Sequence, residues 1–487
     1  MHSPASKGRR IRGFLGACAA GVVVAGCAVG PDYHRPETPV DAHFANAGEP
    51  GLANGDTLEQ YWTGFADPLL NSLVEDALAH NTDLGIAAAN LHAARAARRL
   101  AGFDQYPTVT LNGSYTHNLE SAQQLPGLDQ HDREFDTAQG SFDGLWELDL
   151  FGRVRRNVEA ARADLGASEA TLRDARVSVI AEVARDYFIL RGLQDQLALT
   201  ERNADNQLHS LTITRTRLEA GRGNELDTSR AEAQWQTTLA TIPTLQASIA
   251  TTTYRLSVLT GRPPTALGAK LSPQAPMPTL PTMNAIGTPE QLLRRRPDVR
   301  VAERRLAAAT ARVGVATGDL FPKVTMVGEV GYWAPSFGDF GQSDARFYSV
   351  GPSISWAAFD LGRVRARISS AKAQTDAAFA GYEGAVLNAL EDTEGALIVY
   401  GRSQSRRQSL QVAAAASDKA ADLARRRFEG GLIDFLEVLD AERTALSAEL
   451  LLSQGRTDVA TSLVAVYKAL GAGWAVSESN AATTAQR

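Results

Sequence analysis

A segment of this chain occurs twice. Trp146-Glu-Leu-Asp-Leu-Phe-Gly-Arg-Val-Arg155 returns as Trp356-Ala-Ala-Phe-Asp-Leu-Gly-Arg-Val-Arg365, an offset of 210 residues. Arg217-Leu-Glu-Ala-Gly221 and Arg427-Phe-Glu-Gly-Gly431 keep that offset, and so do Gly261 and Gly471. Upstream, Asp83, Pro107 and Gly113 match Asp298, Pro322 and Gly328 at an offset of 215. The five-residue difference falls between Gly113 and Trp146, and between Gly328 and Trp356. A register held over so long a stretch marks an internal duplication, so any fold assigned to one half must also suit the other.

Each half reads helix, strand, strand, long helix, helix. Repeat 1 covers 67–261 and repeat 2 covers 288–471. Residues 67–102 are Ala-rich and helical. Residues 107–118 and 141–150 alternate apolar with polar, as do 323–332 and 347–358. Period two marks strands with one apolar and one polar face. Each strand has about 10 residues, the length a tilted strand needs to cross a bilayer. Residues 119–136 and 334–346 read as loops. Residues 153–220 contain no proline, which allows a helix on the order of 100 Å long. Val158, Leu165, Leu172 and Val179 recur every seven residues, as do Leu190, Leu197, Ala204, Leu211 and Leu218. That seam predicts coiled-coil packing. The return helices are read at 225–260 and 434–470, the second with its own heptads at Val438, Ala445, Leu452, Val459 and Val466. Residues 262–287 form a Pro-rich linker strapped along the outside. Residues 472–487 form a polar tail, read as disordered.

Residues 1–26 carry Lys7, Arg9, Arg10 and Arg12, then the apolar stretch Gly13 to Gly26. This is the pattern of a secretory signal. It ends Val24-Ala25-Gly26-Cys27, which looks like a bacterial lipobox, with small residues before a Cys that takes diacylglycerol and N-acyl lipid. Ala28, where sorting signals that retain a lipoprotein have Asp, favours the outer membrane by resemblance to bacterial lipoproteins. Residues 27–66 are then a lipid-anchored N-terminal leader, rich in Pro and Gly. Loss of the signal changes the formal charge from −6 to −10 and removes Cys18, leaving Cys27 as the single cysteine. The acidic balance gives no support to a nucleic-acid footprint. All eight His lie at or before His209, which speaks against a His-based metal site spanning both repeats.

No later run of about 18 apolar residues could form a transmembrane helix, so contact with a bilayer beyond the lipid must be through strands. Four strands in lipid would leave unsatisfied edges. Three copies give twelve strands, a count within the range of outer-membrane barrels. The polar faces then line a water-filled lumen that the helices extend. A soluble sandwich is the alternative, and it would have to expose those polar faces.

The chain resembles the outer-membrane efflux protein family, the TolC-like channels, and within it the OprM/NodT-type lipoprotein branch. The match is carried by Gly26-Cys27-Ala-Val-Gly-Pro31-Asp-Tyr-His-Arg-Pro36, by Tyr61-Trp62 through Phe65-Ala-Asp-Pro68-Leu-Leu-Asn71, and by Leu292-Leu-Arg-Arg-Arg-Pro-Asp298-Val-Arg300. Ala302-Glu303-Arg304, Phe321-Pro322 and Phe428 through Ala441 add to it. The resemblance implies a mainly α fold with a transmembrane β-barrel. A homotrimer would build a 12-stranded barrel continued by a coiled-coil tunnel, with an equatorial domain. It also implies the exit duct of a tripartite pump, partnered by a periplasmic adaptor and an inner-membrane RND transporter. No cofactor is implied beyond the lipid on Cys27.

After the Gly430-Gly431 turn comes Leu436-Glu437-Val438-Leu439-Asp440-Ala441-Glu442-Arg443. Leu436, Glu437 and Asp440 share a helix face by spacing. On a threefold axis each becomes a ring: a Leu ring resists wetting, and carboxylate rings favour cations. The resemblance implies a periplasmic gate at Leu436 and Asp440, a second acidic ring at Glu437, and a latch of the closed state at Arg443. The plainer reading is a solvated acidic face. Repeat 1 keeps Leu226 but has Arg230 in the place of Asp440. The helix-turn tips, with Arg217, Gly221, Arg427, Gly430 and Gly431, are candidates for adaptor docking, and the basic runs Arg215/Arg217/Arg222 and Arg425-Arg426-Arg427 are candidates for that or for ion pairs that hold the gate shut.

The chain lacks GxxxxGK[ST] and HExxH, and Gly351-Pro-Ser353-Ile-Ser355 lacks the second Gly of a nucleophile elbow. No catalytic or metal residues are assigned. Two alternatives share many features: a TolC-like duct for ABC-linked protein export, and a lipid-anchored coiled-coil scaffold. The scaffold would not need four amphipathic strands.

Overall fold

The computed structural model describes residues 28–50, 60–281 and 286–473. The signal segment 1–26, Cys27 and nearly all of the tail lie outside them. In order, the elements are α1 (Pro68–His80), α2 (Thr82–Phe103), β1 (Thr108–Leu119), β2 (Glu134–Leu148), α3 (Arg153–Glu219), α4 (Glu225–Leu259) and α5 (Gly268–Leu271). Then come α6 (Pro289–Arg295), α7 (Pro297–Gly318), β3 (Lys323–Ala334), β4 (Arg346–Ser355), α8 (Leu361–Glu429) and α9 (Phe435–Ala469). Helices α3 and α8 have 67 and 69 residues. Among the described residues, no helix is long and apolar enough to cross a membrane.

The described residues form two compact units, which divide within α2, α3, α7 and α8 or beside them. The first contains the described parts of Met1–Glu37, Asn90–Ser168 and Val301–Glu383; the second those of Thr38–Ala89, Glu169–Arg300 and Gly384–Arg487.

The first unit holds an antiparallel sheet in the order β1-β2-β3-β4. The pairs Leu111↔Phe142, Phe142↔Val330 and Val330↔Tyr348 put these side chains on one face. Val109, Tyr115, Trp146, Val324, Val350 and Ile354 share it by the period of two. This apolar face is open: Leu111 is 70 % exposed, Ile354 68 % and Tyr348 82 %. The other face carries Thr108, Thr110, Asn112, Ser114, Asp143, Glu329 and Ser353. There, Asn112 donates to Asp143, and Gln139 Nε2 donates to Glu329 Oε1 at 3.4 Å. Trp146 Nε1 donates to Gln105 O and Trp356 Nε1 to Leu320 O, both at 3.0 Å, so the duplication pins both strand pairs alike.

Strand β2 starts at Glu134, inside the stretch 119–136 read as a loop, and ends at Leu148. Glu134 and Asp136 fall on the otherwise apolar face, where they bond His117 at 2.8 and 2.7 Å. They break the alternation, so the sequence pattern hides the first turns of the strand.

The stretch 67–102 is two helices, not one. Asn81 leaves the helix at φ −64°, ψ 132°. Its side chain accepts from Asp83 N and Leu84 N, and its Nδ2 donates to Leu259 O at 2.9 Å. In repeat 2 the matching residue is Arg296, at φ −61°, ψ 124°, which donates to Ala469 O at 3.0 Å. Both breaks therefore lock the last carbonyls of a return helix. Pro297 makes the second break legible, because a residue before proline avoids the α region. Nothing comparable follows Asn81.

The second unit has the larger core, with Tyr61, Phe65, Leu70, Leu73, Ile180, Phe188 and Leu463 among its buried residues. Tyr61 and Phe65 belong to the leader, and Tyr61 stacks on Tyr467 at 4.5 Å. The leader is thus built into the core.

Candidate functional site

The tips of the two helical hairpins lie in the second unit. Helix α3 turns into α4 through residues 220–224, and α8 into α9 through 430–434. Gly221 and Gly431 have φ of +67° and +72°, a conformation that glycine adopts without steric cost. Gly221 N donates to Leu218 O and Arg222 N to Arg217 O, at 2.9 and 2.8 Å. Gly431 N donates to Phe428 O and Leu432 N to Arg427 O, both at 2.9 Å. This double bond pattern is the Schellman motif, which satisfies carbonyls left open at a helix end. The next helices start differently. Asn224 accepts from Asp227 N at 2.9 Å, whereas the Asp434 side chain makes no capping bond.

Beneath the tips, Leu211, Ala231, Phe428, Phe435, Val438 and Leu439 pack together. Phe435, Val438, Leu439, Glu442 and Ala445 form the buried stripe of α9. The residues between them face outward. Leu436 is 52 % exposed, and Glu437, Asp440 and Arg443 are exposed as well. The structure therefore gathers the four expected gate residues on the open side of one helix. Their side chains make no hydrogen bond or ion pair among the described residues. Among the described residues, the Arg443 side chain has no partner to latch onto.

The bonds between the hairpins come from other residues. Arg217 is turned inward: its guanidinium donates to Phe428 O at 2.8 Å and lies 4.0 Å from the Phe428 ring centroid. A cation at carbonyls that end a helix is favoured by the dipole there, and the ring face adds a cation–π term of about 1 kcal/mol. Gly221, Arg427, Gly430 and Gly431 stay exposed at the tips. Arg426 pairs with Asp422 at 2.8 Å along its own helix.

Glu442 is the residue that sequence reading passed over. It is buried, accepts from Ser210 Oγ at 3.0 Å, and lies 3.3 Å from Arg425 Nε. Burial pushes its carboxyl above the usual range, and Ser210, Arg425 and His209 oppose that rise. Its position, four after Val438 and three before Ala445, already placed it on the apolar seam. Beside it lies a polar cavity of about 490 Å³, lined by Gln207, Asp418, Arg425 and Glu449 among others. Gln207 is buried with neither amide atom hydrogen-bonded. The inner side of α9 thus meets a polar void as well as a packed core.

The chain is similar to known proteins over most of its length. The model of the family described as "Outer membrane efflux protein" matches residues 73–262 and again 288–472, once per repeat. Nodulation protein T of Rhizobium leguminosarum bv. trifolii is 30 % identical over 457 residues, 93 % of this chain and 96 % of that protein. The probable efflux pump outer membrane protein TtgC of Pseudomonas putida is 31 % identical, over 95 % of this chain and 96 % of its own. The solved outer-membrane channel OprN is 44 % identical and superposes with a TM-score of 0.87, over 92 % of this chain and all of that one.

Proposed function

The chain belongs to the outer membrane efflux protein family, and we propose that it works as the outer-membrane exit channel of a tripartite, RND-type efflux pump. It conducts drugs or other small toxic compounds passively from periplasm to exterior. The observation that carries this reading is the sheet. It has one apolar and one polar face, two open edges, and strands continuous with helices of 67 and 69 residues. In a bilayer such a sheet must close, because unpaired backbone groups cannot be left in hydrocarbon. Three copies close it into twelve strands, with the apolar face to lipid and the polar face to water. The name of the relative TtgC, an efflux pump outer membrane protein, speaks for efflux rather than protein export, and a periplasmic adaptor and an inner-membrane transporter complete the pump.

The gate is assigned to rings of Leu436 and Asp440, with Glu437 beside them. In favour of this stands their shared, open helix face, whose side chains form no hydrogen bond or ion pair among the described residues. The exposed tips at Gly221, Arg427, Gly430 and Gly431 are assigned to the adaptor, and Arg217 acts from behind them by clamping the end of α8. Cys27 carries the lipid. In support, Ala28 packs against Gly152, and Val29 N donates to Phe151 O at 3.0 Å. That is just past the end of β2, where the strand would leave the bilayer.

The test is planar-bilayer conductance of the purified protein beside a Leu436→Ala, Asp440→Ala variant. Rare, small openings in the parent and frequent, larger ones in the variant are expected. Equal, open conductance in both would remove the gate from these residues. No conductance from inserted, folded protein would favour the lipid-anchored scaffold. Gene deletion should raise drug sensitivity; loss of a secreted protein instead would point to export.

A further inference from the structure

The two repeats differ in what lies over their short helices. At the offset of 215, His92, Arg95, Arg98 and Arg99 of α2 match Ala307, Thr310, Val313 and Gly314 of α7. The α7 residues are covered. Ala307, Thr310 and Val313 are buried. Tyr33 of the leader packs on Ala163, Ala307 and Ala308, and Gly30 lies so close to Gly314 that a Cβ would not fit between them. The α2 residues have no such cover. His92, Arg95 and Arg99 are exposed and Arg98 is half-buried. With Arg162 and Leu165 of α3 they line an open groove of about 630 Å³.

None of the four arginines in this groove has an ion-pair or hydrogen-bond partner among the described residues. Elsewhere in the same unit, Arg153, Arg155, Arg156, Arg304 and Arg312 each meet a carboxylate. Unpaired guanidinium groups held together repel one another. A groove that collects four of them, in a chain of net charge −6, therefore gains from an anion. The planar fork of arginine matches phosphate oxygens two at a time. We propose that this groove binds the phosphate headgroup of an anionic phospholipid in the inner leaflet of the outer membrane. This rests on the reading of the chain as a channel subunit with its strands in the bilayer.

The place of the groove favours a lipid phosphate over a free one. Helix α2 leads into β1 past Phe103 and Tyr106, both exposed. Aromatic residues of this kind suit a membrane–water boundary. Arg99 and Arg95 lie four and eight residues before Phe103, about 6 and 12 Å along the helix. Arg162 lies ten residues beyond Gly152, about 15 Å. Gly152 is where Ala28, next to the lipid-bearing Cys27, packs. A headgroup layer adds about 5–8 Å to each side of the hydrocarbon core, and arginine side chains extend along a surface to reach such a layer. The groove also opens on the side of the leader. Arg156 donates to Val29 O at 3.1 Å and to Glu159 Oε2 at 2.8 Å. Glu159 and Arg162 continue that stripe of α3 at intervals of three. The lipid on Cys27 and the phosphate in the groove then hold the chain to the same leaflet.

Lipid titration of the purified, delipidated full-length protein in detergent tests this, with bound lipid counted by native mass spectrometry. Phosphatidylglycerol should bind about tenfold more tightly than phosphatidylcholine. Replacing all four groove arginines, as Arg95→Gln, Arg98→Gln, Arg99→Gln and Arg162→Gln, should abolish that preference. A control with two arginines of the second unit replaced, Arg402→Gln and Arg426→Gln, should keep it. Inorganic phosphate at the lipid's concentration and constant ionic strength should leave the lipid bound. Equal binding of the two lipids by the parent overturns the proposal, and so does a preference that survives in the quadruple variant. Displacement by inorganic phosphate would make this a free-anion site and overturn the lipid assignment. A quadruple variant that no longer sizes with the parent as an oligomer would assign the groove to a contact between copies, and also overturns it. The channel reading is measured separately, by conductance in bilayers of neutral lipid, which parent and quadruple variant should share. Loss of lipid preference with conductance intact removes the groove alone; absence of conductance in both removes the channel reading.

Discussion

The two hairpin tips contain the same ion pair in two environments. In repeat 1, Arg215 and Glu232 lie 3.3 Å apart, each 49 % exposed. In repeat 2, the residues 210 further on, Arg425 and Glu442, also lie 3.3 Å apart, but Glu442 is 6 % exposed. Spacing and chemistry are shared; only the cover differs. Ser210 of α3 closes over Glu442, and no hydroxyl bonds Glu232 among the described residues. The exposed pair contributes about 0–1 kcal/mol, as surface pairs do. The covered pair is a liability if broken, because a lone buried carboxylate has no water to solvate it. Duplication therefore supplied two equal hairpins, and folding one against the other made only the second sensitive to its arginine. That second hairpin carries Leu436 and Asp440.

Four experiments bear on this contrast. Arg425→Ala should destabilise the second hairpin by about 2 kcal/mol, discounted from the fully buried case because Arg425 is one-third exposed; Arg215→Ala should cost less than about 1 kcal/mol. Hydrogen exchange of the α8–α9 and α3–α4 turns reads both, and equal losses would end the distinction. Gly221→Ala and Gly431→Ala should cost the same, about 1 kcal/mol each, since both glycines are left-handed with open space around them. A large inequality would mean that the two turns are not equivalent. Asn224→Ala should cost about 0.5–1 kcal/mol and Asp434→Ala close to nothing, because only Asn224 caps its helix.

The smallest effect is one of pH. The native carboxyl of Glu442 is raised by burial, so the folded state takes up its proton before the unfolded chain does. Its stabilising contribution is complete below the ordinary glutamate range and is lost as pH rises through the raised value. Exchange in the second hairpin should therefore quicken across that window in the parent relative to Glu442→Gln. Parallel pH profiles would show that this carboxyl does not titrate differently in the fold.

Much of this was legible because the signals were local. Alternation in 107–118, 323–332 and 347–358 lies within a residue or two of β1 and β3, and within three of β4. The proline-free run from 153 gives α3, and Gly221 and Gly431 mark both turns. The failures were equally specific. Asn81 breaks a helix without a breaker beside it, because its reward is a carbonyl 178 residues away. Glu134 and Asp136 looked like loop residues because their partner, His117, sits on another strand. Arg217 read as a surface cation and is half-buried against Phe428.

The sequence by itself determined the duplication, the type of each element and the opposition of polar and apolar faces. These follow from backbone sterics and from periods of two and 3.6 residues, which each segment carries within itself. Tertiary structure decided what covers the two repeated glutamates. Glu442 sits between Val438 and Ala445 on an apolar seam and Glu232 between Thr228 and Trp235, and packing against α3, with Ser210 closing over it, removed Glu442 from water.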